Sequence, residues 1–545
     1  MKRISIFIVT MICFIVDLHG QNQPMQPDTT TMPRLEIPEI TIVGKKAITL
    51  PFARKGEIYD VNIYEAPAPD SSILEKRSGL TPPIGELPRY EEPLVPWHVS
   101  AEGGLGSFSN GNLRGYVDYL GRQWGVYGNG GFRTTGGHTA NSSGSEVDGE
   151  VTAHSLVETD NEVLRSFRVS GGMKFEHDSY GMFGIRDTVA RPDRSKNLFS
   201  LNAQMGSLDR ETNAIDFGIS TDIVSVTDTR SGHDSDITAA SPEIHGSFTT
   251  GIGSVRLRTL VEYQSSSLNY RQPVESPSLF NFSAGAQWQL FPKWYLNVGG
   301  GYFGGTGSDG ASRSLFLPFA SVKWTLDNDR VVSFWYKPEM RLASYQSLFQ
   351  QNPYLSREVA IRPERVPLNI GSTFWYNSNF ISAEIEASIA NSSNKAVTLA
   401  DSGMIWLHYI DANVFTIRAN GTMKPADNLK LTLAGLIQPS FEEGKSTQLP
   451  MIPVIELGGR AEYTFGFPCT AWSSLEYWAD QNVDLIGTKT IDARLLLGVG
   501  ASTDAIPRTM LSLEIANLLD AKYEWWKGYT APGIAVMLNA KVNIR

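Results

Sequence analysis

Beyond Trp97 the chain alternates apolar and polar residues with a period of two. Val255, Leu257, Thr259, Val261 and Tyr263 alternate with Arg256, Arg258, Leu260, Glu262 and Gln264. Ile381, Ala383, Ile385, Ala387 and Ile389 alternate with Ser382, Glu384, Glu386 and Ser388. The last run is the most regular: Ile534, Val536, Leu538, Ala540, Val542 and Ile544 against Met537, Asn539, Lys541, Asn543 and Arg545. Successive side chains of a strand face opposite sides, so each run has one apolar and one polar face. The runs extend over about 10 to 14 residues, longer than ordinary soluble strands and long enough to cross a bilayer when tilted.

The connections alternate in length. Short joins are predicted at 121–123, 177–179, 208–211, 251–254, 292–293, 327–329, 377–379, 425–428, 466–468 and 504–507. Between them lie mostly longer Ser-, Asp- and Gly-rich stretches, among them 137–162, 188–196, 226–240, 341–364, 392–409 and 521–532. Counting runs between joins gives about 22 strands, an even number as bacterial outer-membrane barrels require. Aromatic residues gather near run ends, as at Trp288, Phe291, Trp294 and Tyr295, at Phe374, Trp375, Tyr376 and Phe380, and at Trp472, Tyr477 and Trp478. Such clusters suit the interfacial girdles of a membrane barrel. The expected fold is all-β, a transmembrane antiparallel barrel over residues 97–545. A soluble sandwich or solenoid is the alternative; strand length and loop asymmetry argue against it.

The N-terminal part differs. Lys2 and Arg3 precede a nearly unbroken apolar run, Ile4 to Val16, with a small Gly20 beyond it. Residues 1–20 therefore read as a secretory signal. Residues 21–96 are dense in proline, which prevents long helices and interior strands. They read as a short extended periplasmic or lumenal segment. With Cys13 inside the leader, Cys469 is the single mature cysteine, so neither an intramolecular disulfide nor a cysteine-based metal site is expected.

Composition narrows the function classes. Of 545 residues 41% are hydrophobic and 19% charged, too polar for a bundle of ~20-residue apolar helices. The 25 Phe, 20 Tyr and 12 Trp exclude a disordered chain. A formal charge of −10 offers no basic footprint, so no nucleic-acid partner is expected.

The most specific motif lies near the C-terminus. Asn517, Leu518, Leu519, Asp520 and Tyr523 are followed by Gly528, Tyr529, Pro532 and Gly533, then by the final alternating run. This arrangement resembles the end of TonB-dependent outer-membrane receptors. It departs from them at Ile534, where the family usually has arginine, and at the closing Ile544-Arg545, where it usually has an aromatic residue. The resemblance implies a 22-stranded barrel that binds or transports solutes across the cell outer membrane. Glu39, Ile40, Thr41, Ile42, Val43 and Gly44, followed by Lys45 and Lys46, resemble that family's TonB box. The box adds as a strand to the TonB C-terminal domain, and a β-branched stretch free of competing structure suits strand addition. A short local strand is the other reading of the same residues. The family also has a globular plug between box and barrel. Here about 50 proline-broken residues, 46–96, separate the two, so a plugless barrel is expected. Its alternative role is structural, docking a periplasmic or surface partner protein.

Arg256, Arg258, Glu262, Glu384, Glu386, Arg460, Glu462, Asp492 and Arg494 fall on polar faces and are the candidate lumen-lining charges. Glu384 and Glu386 share a face, but any polar strand face produces that spacing, and no enzyme is expected. Gly299-x-Gly301-x-x-Gly304 matches a dinucleotide fingerprint, yet the polar stretch after it forms no helix to meet a pyrophosphate. The histidines are scattered, so neither a metal nor a cofactor is expected.

Overall fold

The computed structural model describes residues 97–544, apart from 122, 160–165, 186–190, 209–212, 231–232, 270–274 and 402. The expected signal segment, the TonB-box candidate and the rest of the proline-rich stretch to residue 96 lie outside the described residues. The main sheet holds 25 strand segments. Three of them, Ser267–Asn269, Glu339–Arg341 and Ser440–Glu442, resume a strand after a break of one or two residues, which leaves 22 barrel strands. Proline accounts for the breaks, because it has no N–H for the ladder. Pro338 and Pro439 sit in two of the gaps. Pro242 lies on the neighbouring strand between the pairs Glu243↔Gln264 and Ala240↔Ser267.

Each barrel strand pairs antiparallel with its sequence neighbours. The first strand, Trp97–Gly106, pairs both with Asn110–Leu120 and with the last, Ala535–Asn543, with Ala101 opposite Val542 and Leu105 opposite Leu538. This seam closes the barrel. The outward face is apolar and uncovered: Leu113 is 64%, Phe316 73% and Leu433 64% exposed. In water such a surface would aggregate; in a bilayer it is the lipid-facing belt. At the short-turn rim, Trp97 packs on Tyr119 at 4.8 Å, Tyr119 on Trp124 at 4.3 Å, and Trp294 stacks on Trp324 at 4.9 Å. These rings form one interfacial girdle.

Several expectations need correction in detail. Residues 177–179 are not a join but part of the strand Ser166–Gly181; the join follows Glu158. The charged run there reads like a turn in sequence, but its carboxylates face inward and are neutralised by Lys196. The stretches 226–240 and 392–409 are largely strand, in the long hairpins Asn213–Arg230 with His233–Ile252 and Ile381–Asp401 with Met404–Ala426. Backbone pairing continues there past the apolar belt, and loops cover part of the inward face: Val226, Ile237, Val397 and Ile405 are buried. Trp472 and Trp478 belong to the lumen face, not to a girdle; the exposed Leu475 marks the opposite, lipid side of their strand. The Gly299–Gly304 stretch lies within the strand Trp294–Thr306, and the chain turns into another strand after it.

Apolar burial is concentrated at the long-loop rim. Leu198, Val224, Val226 and Ile237 lie on the inward face near that end of their strands, and Tyr345, Leu348, Phe349, Tyr354, Leu355 and Ile361 come from a single loop. A smaller cluster joins Val397, Ile410 and Ala412 to Leu449.

The two faces of one strand give a direct test. Leu201→Arg, on the lipid face of Asp193–Ser207, is expected to cost about 2–4 kcal/mol in denaturant titrations of the barrel in lipid vesicles. Asn202→Arg, one residue on and facing the lumen, is expected to leave the midpoint nearly unchanged. Equal losses would remove the bilayer assignment of this face.

Candidate functional site

The loop between Glu339–Arg341 and Glu364–Asn377 leaves the wall and reaches strands far around the barrel. It contains the helix Tyr345–Gln351, capped by Ser344, whose hydroxyl accepts from the Ser347 N–H at 3.1 Å. Tyr345 donates to the Val359 carbonyl at 2.9 Å and ties the helix to the returning limb. Beyond the helix, Leu355 bridges to Ile405, and the Ser356 N–H donates to the Ile405 carbonyl at 2.6 Å. The Pro353 carbonyl accepts from Tyr180 at 2.7 Å and from Arg194 at 2.8 Å. A loop rooted between these two strands can touch both Ile405 and Arg194 only by crossing the lumen mouth.

Arg194 is the clamp. Its side chain is fully buried and forms a two-pronged pair with Asp228, Nε to Oδ1 at 2.6 Å and Nη2 to Oδ2 at 2.9 Å. Nη1 donates to the Pro353 and Leu355 carbonyls. Arg357 of the same loop reaches Asp228 Oδ2 at 2.7 Å. The planar guanidinium fork fits this arrangement, with two prongs on the wall carboxylate and the third on the loop backbone. One turn of the ladder lower, Lys196 bridges Glu176 at 2.8 Å and Asp178 at 2.5 Å.

The C-terminal motif builds the second half of the cap. Asn517 and Asp520 have φ of 50° and 49°. Asn517 donates to the carbonyls of Ala521 and Pro532 and accepts from the Ala521 N–H, so one amide staples both limbs of the loop. Asp520 accepts from Lys522 and from the Ile534 N–H. Tyr523 accepts through its carbonyl from the Ala531 N–H. Tyr529 stacks on Tyr354 at 3.6 Å and donates to the Gly403 carbonyl at 2.9 Å. Gly403 has φ +83° and lies against Gly184, where a side chain would collide with backbone. Leu518 and Leu519 are exposed, and Gly528, Pro532 and Gly533 shape the return. Within this structure the motif residues therefore make loop contacts that seat Tyr529 on the strap.

The sequence-derived lumen charges are distributed. Arg256, Arg258, Glu262, Glu384, Glu386, Arg460 and Glu462 lie opposite the exposed apolar face of their strands. Glu262 accepts from Asn281 at 3.2 Å, Glu386 is paired in register with Arg418, and Arg460 donates to Glu462 at 2.8 Å while stacking on Trp472 at 4.9 Å. Asp492 stands outside the strand, in the turn before Arg494–Ile506, and is exposed. Arg494 is buried rather than open to the lumen, between Trp478, Trp525 and Tyr523, and donates to the Glu524 carbonyl at 3.0 Å. The strand starts later than its alternation suggests, and the C-terminal loop folds over its first residue.

Arg194, Lys196, Asp228, Tyr180 and Tyr354 escape sequence reading. A signal was present: Leu342, Tyr345, Leu348, Phe349, Tyr354, Leu355, Val359 and Ile361 are too apolar for a loop that stays in water. Among the described residues no cluster of three metal-ligating side chains occurs.

Burial raises the Tyr354 phenol well above its ordinary value and raises those of Tyr345 and Tyr529 as well, so the cap tyrosines remain neutral. Burial lowers His138, against the opposing pull of its hydrogen bond to the Thr530 carbonyl at 2.7 Å. The docked loop thus favours neutral imidazole. Burial of the neutral ring contributes its full stability to the docked loop above the ordinary pKa of about 6.5, and that stability is lost as pH falls through the lower folded value. Hydrogen exchange at residues 136–143 is expected to quicken over that window in the native protein and to lose this dependence in His138→Gln. Arg194→Ala leaves Asp228 with Arg357 and the Pro353 carbonyl with Tyr180 but removes the two-pronged pair and the donor to the Leu355 carbonyl, a local loss of about 1.5–3 kcal/mol. The expected readout is lost amide protection at Leu348, Asn352 and Leu355 with the barrel strands still protected; retained loop protection would contradict the clamp.

No family model matches the sequence, and no curated protein matches it. Solved structures do match. The FrpB iron transporter of Neisseria meningitidis (F3-3 variant) superposes with TM-score 0.65 at 11% identity, over 82% of this chain and 81% of its own. The copper transporter OprC gives 0.62 at 13%, over 82% and 80%. The ferric yersiniabactin uptake receptor FyuA of Yersinia pestis gives 0.58 at 11%, over 82% and 80%. Identity this low speaks for the fold: the chain has the 22-stranded barrel of TonB-dependent outer-membrane receptors.

Proposed function

We infer that this protein binds solutes and passes them through the outer membrane. The observation that carries the reading is the combination of a wide, polar-walled lumen with a mouth crossed by a clamped loop. A 22-stranded barrel is too wide for its own side chains to fill. The nine charges legible in sequence would then act in two groups: those from Arg256 to Glu462 along the passage, and Asp492 with Arg494 at the outer cap. The strap 342–363 is the part that must yield for a solute to enter. Energised transport would use Glu39–Gly44 as the box that recruits the TonB C-terminal domain by strand addition. The alternative, a structural barrel docking a partner protein, shares the wall but has no need of a releasable mouth.

Planar-bilayer recording separates them. Full-length protein with Arg194→Ala is expected to conduct more, or to open more often, than the native chain. If neither passes current, and deleting residues 21–96 changes nothing, the transport reading fails. In a pull-down with the TonB C-terminal domain, Ile42→Pro is expected to abolish capture; unchanged capture removes the box assignment.

A further inference from the structure

The Gly299-x-Gly301 stretch has a local purpose that neither the lipid belt nor the cap explains. On the inward face a Cβ at Gly299 would collide with the Phe319 ring and with the Ala284 carbonyl, and one at Gly285 would stand 2.8 Å from the ring. A Cβ at Gly301 would meet the Phe303 ring at 2.9 Å, and one at Gly371 would collide with the Trp335 ring. Each ring therefore lies down along the wall on a glycine floor instead of projecting into the lumen. The three rings are partly exposed and sit on three consecutive barrel strands, Trp294–Thr306, Ser312–Thr325 and Arg330–Tyr336. Counted along their strands, Phe303, Phe319 and Trp335 step down from the cap toward the short-turn rim.

Strand register sets polar groups beside them. Gln287, Asn297, Ser321 and Trp335 form one cross-strand row, and Gly285, Gly299 and Phe319 form the next row toward the cap. Two amides and a hydroxyl thus run along the edge of the Phe319 tile and end at the Trp335 ring. Flat apolar faces bordered by amide and hydroxyl groups complement a ligand with a flat C–H face and a hydroxyl edge, which is a pyranose ring. A lipid chain would leave the amides unpaired. Lys337, two residues beyond Trp335, has Glu262, Glu339 and Glu386 around it. Arg258 stands opposite Gly285 and Arg256 opposite Gln287 in the same two rows, so an anionic chelate is the competing ligand that the test separates.

We propose that this wall is a stacking track for oligosaccharides. The proposal rests on the transport reading but is tested by equilibrium binding, so the two can fail separately. Isothermal titration of the full-length protein, in a detergent without a sugar headgroup, uses maltohexaose and cellohexaose as probes and 2,3-dihydroxybenzoate as comparator. At least one hexasaccharide is expected to bind, about tenfold more weakly to Phe319→Ala and to Trp335→Ala. Gly301→Ala, whose Cβ would meet the Phe303 ring and shift it from its floor, is expected to weaken binding with all aromatic residues retained. Heat-modifiable gel migration checks that each variant is folded. No saccharide binding, equal binding by the folded variants, or binding of the dihydroxybenzoate alone overturns the proposal. Bilayer recording reports on transport whichever result is obtained.

Discussion

Inside a bilayer every backbone N–H and C=O must find a partner within the protein, and the seam between Trp97–Gly106 and Ala535–Asn543 is where this chain meets that demand. Once the ring is closed, other features follow. The outward face must be apolar, which accounts for the exposed leucines and phenylalanines. The inward face cannot form a conventional core, because 22 strands hold their walls too far apart for side chains to meet across the lumen. Prolines at 242, 338 and 439 interrupt the ladder near the cap side, where local breaks can be covered by loops.

Apolar burial therefore moves to the mouth. The strap 342–363 brings its own apolar residues to the inward faces of distant strands, and Arg194 fixes it there through Asp228 and two backbone carbonyls. A buried arginine is costly unless each prong is satisfied, and the strap satisfies this one only while docked. Release of the strap from the wall is thus a discrete local event. Tyr354 on Tyr529 couples the strap to the C-terminal loop, and His138 couples that loop to its neighbour.

The wall itself is uneven. Strands around Glu176, Asp178, Lys196 and Arg194 carry an ion-pair ladder. Strands around Phe303, Phe319 and Trp335 carry aromatic rings on glycine. The first side pairs charges of opposite sign across neighbouring strands, and the second sets rings and amides beside Arg256, Arg258 and Lys337.

The period-two alternation determined the strands, their number and which residues face lipid, because a strand presents its two faces at a period that sequence records directly. Leu201 and Asn202 fall on opposite faces by that rule alone. The C-terminal motif was legible as residues, and its work was not: Asn517 staples its loop to carbonyls at 521 and 532, and Tyr529 reaches Gly403 across more than a hundred positions. Residues 177–179 misled because an inward charged run and a turn have the same composition. Arg194 and Asp228 pair through strands adjacent in the sheet, yet the carbonyls that complete the arginine come from a loop about 160 residues away. Local pattern encodes which way a side chain points; only the closed barrel decides what it finds there, because closure brings distant strands around one lumen and lets a single loop reach them.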